Sequence, residues 1–251
     1  MVLLPTSGRA RWTPILMFHE ILPAAAAAGS PYATTPAKLR AILEDFTRRG
    51  YTAGTLDDVL TPGPARRLVL TFDDGTADFM EHALPVLEEF DCRATLFIVA
   101  GAVGGRRTWA ARDGAPLPAV PLLAASELRA LAGCNFSIGS HTLTHRVLTD
   151  LPPAQAEEEI RGSRARLTDL LGRPVDWFAY PYVALDPAVQ RRVRDAGYAG
   201  ACGGYQQAHG RYHLIRLDAA VFSVADLRRR SSALFHLVRG LRRRARQTPT
   251  R

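Results

Sequence analysis

The chain has 251 residues, of which 47% are hydrophobic and 22% charged, enough for one large domain with a substantial core and too apolar for a disordered or fibrous protein. No run of about 18 apolar residues occurs, which excludes a transmembrane helix. The net charge of +8 does not argue for nucleic acid, because residues 226–251 hold nine arginines and one aspartate and so account for all of it.

In chain order, short apolar strands alternate with amphipathic helices, the pattern of a parallel sheet or barrel. A strand is predicted over 14–18. Residues 24–30, five alanines followed by Gly29 and Ser30, read as a flexible loop. A helix over 36–49 stops at Gly50, and a strand over 67–72 runs into Asp73-Asp74-Gly75. A helix over 78–90 and a strand over 95–100 precede a Gly-, Pro- and Ala-rich insertion over 101–121, and in αβ barrels such loops lie on the catalytic face. Next come a helix over 126–132, a strand over 136–140, a long helix over 153–171, a strand over 175–180 and a helix over 187–196. Gly133, Gly172 and Gly197 stand where the three helices should stop. Two strands, 198–201 and 214–217, complete the pattern.

Residues 1–223 are thus expected to form a single barrel domain, followed by a basic helix and tail over 224–251. The first half of that helix is expected to pack on the barrel, with peripheral contact to an anionic membrane surface as the alternative, and the last ten residues are expected to be disordered. The start of the chain lacks the basic-then-apolar pattern of a secretory signal, so a cytoplasmic setting is expected. Cys92, Cys134 and Cys202 lie far apart without CxxC spacing and read as unpaired thiols.

Two clusters carry chemistry. The strand over 67–72 ends in adjacent carboxylates, and a turn at Gly75 can bring both into one cavity. One can then bind a cation while its neighbour acts as a base. The other cluster, Ser140-His141-Thr142-Leu143-Thr144-His145, also follows a strand. Histidines four apart share one side of a helical turn and can place two ring nitrogens on one ion. Two imidazoles and a carboxylate leave a coordination position for water, the mark of a catalytic site. That donor set reads as a site for Zn2+, with Co2+, Ni2+ or Mn2+ as alternatives.

The motifs Thr71-Phe72-Asp73-Asp74-Gly75 and Ser140 through His145 resemble the carbohydrate esterase family 4 polysaccharide deacetylases, the NodB homology domain. Phe178-Ala179-Tyr180-Pro181-Tyr182-Val183 matches a third family motif with its final glycine replaced. The resemblance covers roughly residues 12–218. It implies a distorted (β/α)7 barrel, one divalent metal ion and hydrolysis of an N-acetyl group from an N-acetylated carbohydrate. Asp73 would be the base, Asp74, His141 and His145 the metal ligands, and the Tyr182 N–H the oxyanion donor.

The chain departs from the common family pattern in several places. His19, at the end of the first strand, is the candidate acid, and His213 the second choice, otherwise read as a surface histidine. Ala179 stands where other members have an arginine beside the base, which Arg216 could replace from a neighbouring strand. Val183 in place of glycine restricts the turn presenting the Tyr182 N–H. Trp109 is a candidate platform for a sugar ring, while Trp12 and Trp177 read as packing residues. His82, His209 and His236 have no partner pattern. Hydrolysis of another C–N bond, in a ureide or cyclic amide, and a silent carbohydrate-binding barrel are the alternatives.

Overall fold

The computed structural model describes residues 13–60, 66–205 and 210–232. Its strands are β1 (Ile15–Phe18), β2 (Glu20–Ile21), β3 (Ala33–Thr34), β4 (Thr52–Gly54), β5 (Arg67–Phe72), β6 (Thr95–Ile98), β7 (Ser137–Ser140), β8 (Trp177–Ala179), β9 (Gly200–Cys202) and β10 (Leu217–Asp218). The α-helices are α1 (Ala24–Ala27), α2 (Pro36–Arg48), α3 (Leu84–Glu89), α4 (Ala125–Gly133), α5 (Pro153–Leu171), α6 (Pro187–Asp195) and α7 (Val224–Arg230).

The strands run parallel in the order β10-β1-β5-β6-β7-β8-β9. A parallel bridge from Cys202 to Leu214, just ahead of β10, brings the last stave back to the first. The result is the (β/α)7 barrel, distorted where β10 makes the closure. Strand β4 lies off this path and pairs with the first half of β5, Thr52 opposite Arg67.

Side chains alternate across each strand, and the alternation sorts the core into two layers. Leu16, Phe18, Leu68, Leu70 and Phe72 point outward into the large cluster beneath the helices. Ile15, Val69, Phe97, Trp177, Ala179, Cys202 and Leu214 fill the barrel interior. Trp177 closes the inside with its Nε1 donating to Asp57 at 2.6 Å. At Gly139 a Cβ would sit 2.6 Å from the Phe97 ring, so only glycine fits that interior position.

The longer helices bury one face each. Helix α2 begins at Thr35, whose side chain accepts from the Lys38 N–H at 3.1 Å, and buries Leu39, Ile42, Leu43 and Phe46. That is the i, i+3, i+4, i+7 stripe of an amphipathic helix, and each such side chain contributes about 1.5–3 kcal/mol. Helix α5 stops at Gly172, which takes the left-handed conformation at φ 66.

The helix expected over 78–90 divides into a π-helical turn, Phe79–Ala83, followed by α3. Pro85 lies in the first turn of α3 and has no N–H to continue an uninterrupted ladder. The loop expected over 24–30 instead contains the single turn α1, all alanine and without a buried residue; alanine is the best helix former and needs no packing to turn once. Helix α7 packs on α2, and its Leu227 is fully buried. No described helix is long and apolar enough to cross a membrane. Trp12, His209, His236 and the tail beyond residue 232 lie outside the described residues.

Candidate metal and catalytic site

The same alternation that builds the interior delivers the site. Ile15 and Met17 point inward on β1, so His19 continues that row beyond the strand end. Val69 and Thr71 do the same for Asp73, Gly139 for His141, and Leu214 for Arg216. Asp74 has the wrong parity. It is turned into the cavity by a γ-turn in which the Gly75 N–H donates to the Asp73 carbonyl at 2.9 Å, with Asp74 at φ 72 and Gly75 at φ 71. That backbone is costly for aspartate and is held by its surroundings.

His141 and His145 do not sit on a helical turn. Residues 141–147 form a loop in which Thr142 and His145 both have positive φ, 68 and 63. The expectation from their spacing is corrected accordingly. A buried carboxylate supplies the shape: Glu159 of α5 accepts from the N–H groups of Leu143 at 2.9 Å and Thr144 at 2.8 Å, and from the Thr144 hydroxyl. The His145 N–H donates to Thr142 Oγ1 at 2.9 Å. Nothing in the spacing of the histidines reveals Glu159, which reads in sequence as one of four acids in a helix.

Asp74, His141 and His145 each offer one ligand atom, all lying within 4.8 Å of one another, and all three residues are buried. Asp74 Oδ1 is 3.5 Å from His141 Nε2 and 3.3 Å from His145 Nε2, and has no hydrogen-bond partner among the described residues. His141 Nδ1 lies 2.8 Å from the Ala179 carbonyl, an acceptor only, so Nδ1 carries the proton and Nε2 presents a lone pair. Burial lowers the His141 pKa to about 4, which keeps the ring neutral. A lone pair facing a buried carboxylate oxygen is repulsive unless a cation lies between them. The residues therefore fit a divalent ion.

Asp73 lies beside this cluster with a different partner. Arg216, buried in the barrel, donates from Nη1 to Oδ1 at 2.6 Å and from Nη2 to Oδ2 at 2.8 Å. It also donates to Thr71 Oγ1 at 3.2 Å and the Gly203 carbonyl at 3.3 Å. Burial pushes the Asp73 carboxyl up, but the Arg216 guanidinium outweighs it and holds the group below the usual carboxylate range. The arginine that position 179 lacks is thus supplied by position 216, and Ala179 contributes its carbonyl instead. His19 Nε2 stands 3.9 Å from Asp73 Oδ2.

A cavity of about 260 Å³ joins these groups, lined by His19, Asp73, Asp74, His141, His145, Trp109 and Tyr182 among others. Those seven are the catalytic, metal-ligating and substrate-contacting candidates named from the sequence; His213, the second choice for the acid, does not line it. It is buried rather than exposed, its ring against Gly203 with Nε2 3.3 Å from the Gly204 carbonyl, away from the place an acid would need. His82 faces Glu81 near the surface. Tyr182 and Val183 take φ 55 and 56, so the β-branched residue adopts the turn that glycine would have taken without strain. Trp109 lines the cavity, and one face of its ring is stacked on His145 at 4.6 Å.

The insertion over 101–121 is fastened from below by a pair the sequence did not announce. Arg107 and Glu20 form a fully buried ion pair, and Arg107 Nε also donates to the Pro118 carbonyl at 3.0 Å. Glu20 opens β2 and directly follows His19, so one contact connects the insertion to the segment that carries His19.

The sequence profile of the polysaccharide deacetylases matches residues 61–201. YxkH of Bacillus subtilis (strain 168), whose name assigns it provisionally to the polysaccharide deacetylases, is 25% identical over 191 residues, 74% of this chain and 62% of that protein. The chitin deacetylase of Colletotrichum lindemuthianum is 25% identical over 131 residues, 52% of this chain and 48% of that one. The match thus spans between about half and three fifths of these relatives' own length. Among solved structures, the Streptococcus pyogenes deacetylase PplD in complex with acetate superposes with a TM-score of 0.73 at 21% identity, covering 88% of this chain and 98% of that one. IcaB from Ammonifex degensii does so with 0.72 at 21% identity, covering 90% and 99%. These likenesses establish a shared barrel.

Proposed function

The chain belongs to the polysaccharide deacetylase family, and from that premise we propose that it is a metal-dependent hydrolase that removes the N-acetyl group from an N-acetylated carbohydrate. The observation that carries the reading is the buried Asp74, His141 and His145 cluster with Asp73 beside it, held ionised by Arg216. Zn2+ is the proposed ion, since two imidazoles and one carboxylate suit it. Bound there, it supplies Lewis acidity that polarises the acetamide carbonyl and acidifies the attacking water.

Hydrolysis adds water across the amide C–N bond and yields acetate and a free amine. In the proposed roles, Asp73 takes a proton from the attacking water. His19, on the neighbouring stave, gives one to the departing nitrogen. The Tyr182 N–H donates to the carbonyl oxygen as negative charge builds on it. A preorganised turn at Tyr182 and Val183 costs strain in the resting protein, and strain of this kind concentrates where backbone donors must be aimed.

The direct test is acetate release from N-acetylglucosamine oligomers and from small N-acetyl glycosides. Activity is expected to vanish with a strong chelator and return with Zn2+; activity indifferent to the chelator would sink the mechanism. A finer expectation concerns His19. His19→Ala should bind Zn2+ like the unsubstituted protein yet turn over about 10²-fold more slowly. A His19→Ala protein that keeps full turnover, or that loses Zn2+, would show that His19 has another role.

A further inference from the structure

A metal-ligating histidine ordinarily donates its second ring nitrogen to a carboxylate or carbonyl, which fixes the ring's orientation. His141 conforms through Ala179. His145 does not: its Nδ1 is buried and has no hydrogen-bond partner among the described residues. Its backbone is no restraint on the ring either, since the loop contacts of Thr142 and Glu159 hold the main chain and leave the imidazole free to turn about its own bonds.

The ring is enclosed by flat neighbours instead. Trp109 lies nearly parallel to it, centroids 4.6 Å apart and planes 22° apart. Tyr182 meets it edge-on at 4.7 Å and His141 at 4.8 Å. An imidazole rotating against a parallel indole at that separation would collide with it, so the stack confines the ring to the orientation that points Nε2 at Asp74. The loop that brings Trp109 there is itself tied to the site. The Tyr182 hydroxyl donates to the Ala110 carbonyl at 2.8 Å, and Arg112 Nη1 donates to the Tyr182 carbonyl at 3.0 Å.

We propose that Trp109 is a positioning residue for the metal centre, holding His145 by stacking in place of the missing hydrogen bond. The inference rests on the metal reading of the cluster but not on any sugar substrate, and it predicts a metal-affinity phenotype for a residue on a surface insertion. Losing such support from a ligand typically weakens metal binding 10- to 100-fold.

The test is Zn2+ titration of the metal-free, full-length protein in competition with a chromophoric chelator. Trp109→Ala is expected to weaken Zn2+ by about 10- to 100-fold, whereas Trp109→Phe, which keeps a flat ring, should stay within about threefold of the unsubstituted protein. The visible absorption of the Co2+ form should change in Trp109→Ala and not in Trp109→Phe. Should Trp109→Ala fail to fold, Tyr182→Phe carries the test: it keeps the ring, cuts the tie to Ala110 and is expected to weaken Zn2+ several-fold. Unchanged Zn2+ affinity in a folded Trp109→Ala overturns the proposal, and so does unchanged affinity in Tyr182→Phe if that variant has to decide. Absence of Zn2+ binding by the unsubstituted protein overturns the metal reading and this proposal together. Failure to release acetate from any sugar, with the titrations as expected, removes only the substrate reading.

Discussion

Asp73→Asn is expected to lower kcat for acetate release by about 10²–10⁴-fold, the range that general acid–base catalysis contributes, while Zn2+ affinity stays close to that of the unsubstituted protein. The amide keeps the size of the carboxylate and can still accept from one arm of the Arg216 guanidinium, so the geometry of the cavity should survive. What it cannot do is take a proton. Single-turnover acetate release, Zn2+ titration and thermal unfolding on the same preparation separate the possible outcomes. Full activity in Asp73→Asn would remove the base from this site. A large loss of Zn2+ would instead make Asp73 a ligand, against the geometry in which both its oxygens already face Arg216 at 2.6 and 2.8 Å.

How far the site was legible in the sequence follows from strand parity. Asp73, His19, His141 and Arg216 are each an even number of residues beyond an inward-facing apolar or glycine position, so a strand read correctly also says which end residues enter the barrel. Arg216 is suggested in sequence only as a replacement for the arginine that position 179 lacks, and its parity beyond Leu214 explains why it meets Asp73. Asp74 and His145 obey no such rule. They reach the cavity through left-handed backbone, and that conformation depends on Gly75 and on Glu159 rather than on any period. Spacing alone suggested a helical turn for His141 and His145 because i, i+4 neighbours meet on a helix; a loop bound by a distant carboxylate brings them together as well.

Other features were hidden for the same reason. Glu20 and Arg107 are 87 positions apart, and only the docked insertion makes them a buried pair. In sequence Trp109 reads as a platform for a sugar, the usual use of an exposed aromatic ring beside a carbohydrate site. Its neighbour His145 is visible only once the insertion is folded over the cavity. His213 reads as a surface residue because a histidine near a strand entrance has no period to declare it buried. Its cover comes from Gly203, whose missing side chain leaves room for the ring, and from the Gly204 carbonyl beside Nε2.

Arg216→Met should produce the largest loss of stability of any change near the site. Its guanidinium is fully buried, and Asp73, also buried, would be left with no cation against it. Breaking a buried ion pair from one side typically costs about 3–5 kcal/mol, because the remaining charge stays desolvated and unpaired. Denaturant unfolding of the metal-free protein measures this directly. The decisive companion is the double variant Asp73→Asn with Arg216→Met. If the loss arises from the orphaned carboxylate, the double variant should recover most of it, since a neutral amide is far cheaper to bury than a carboxylate. It should nonetheless remain as inactive as Asp73→Asn alone. Stability would then return without turnover, as expected of an ion pair kept for the proton chemistry of Asp73 rather than for the fold. A double variant no more stable than Arg216→Met would locate the loss elsewhere, in the guanidinium's contacts with Thr71, Gly203 and the Phe97 ring.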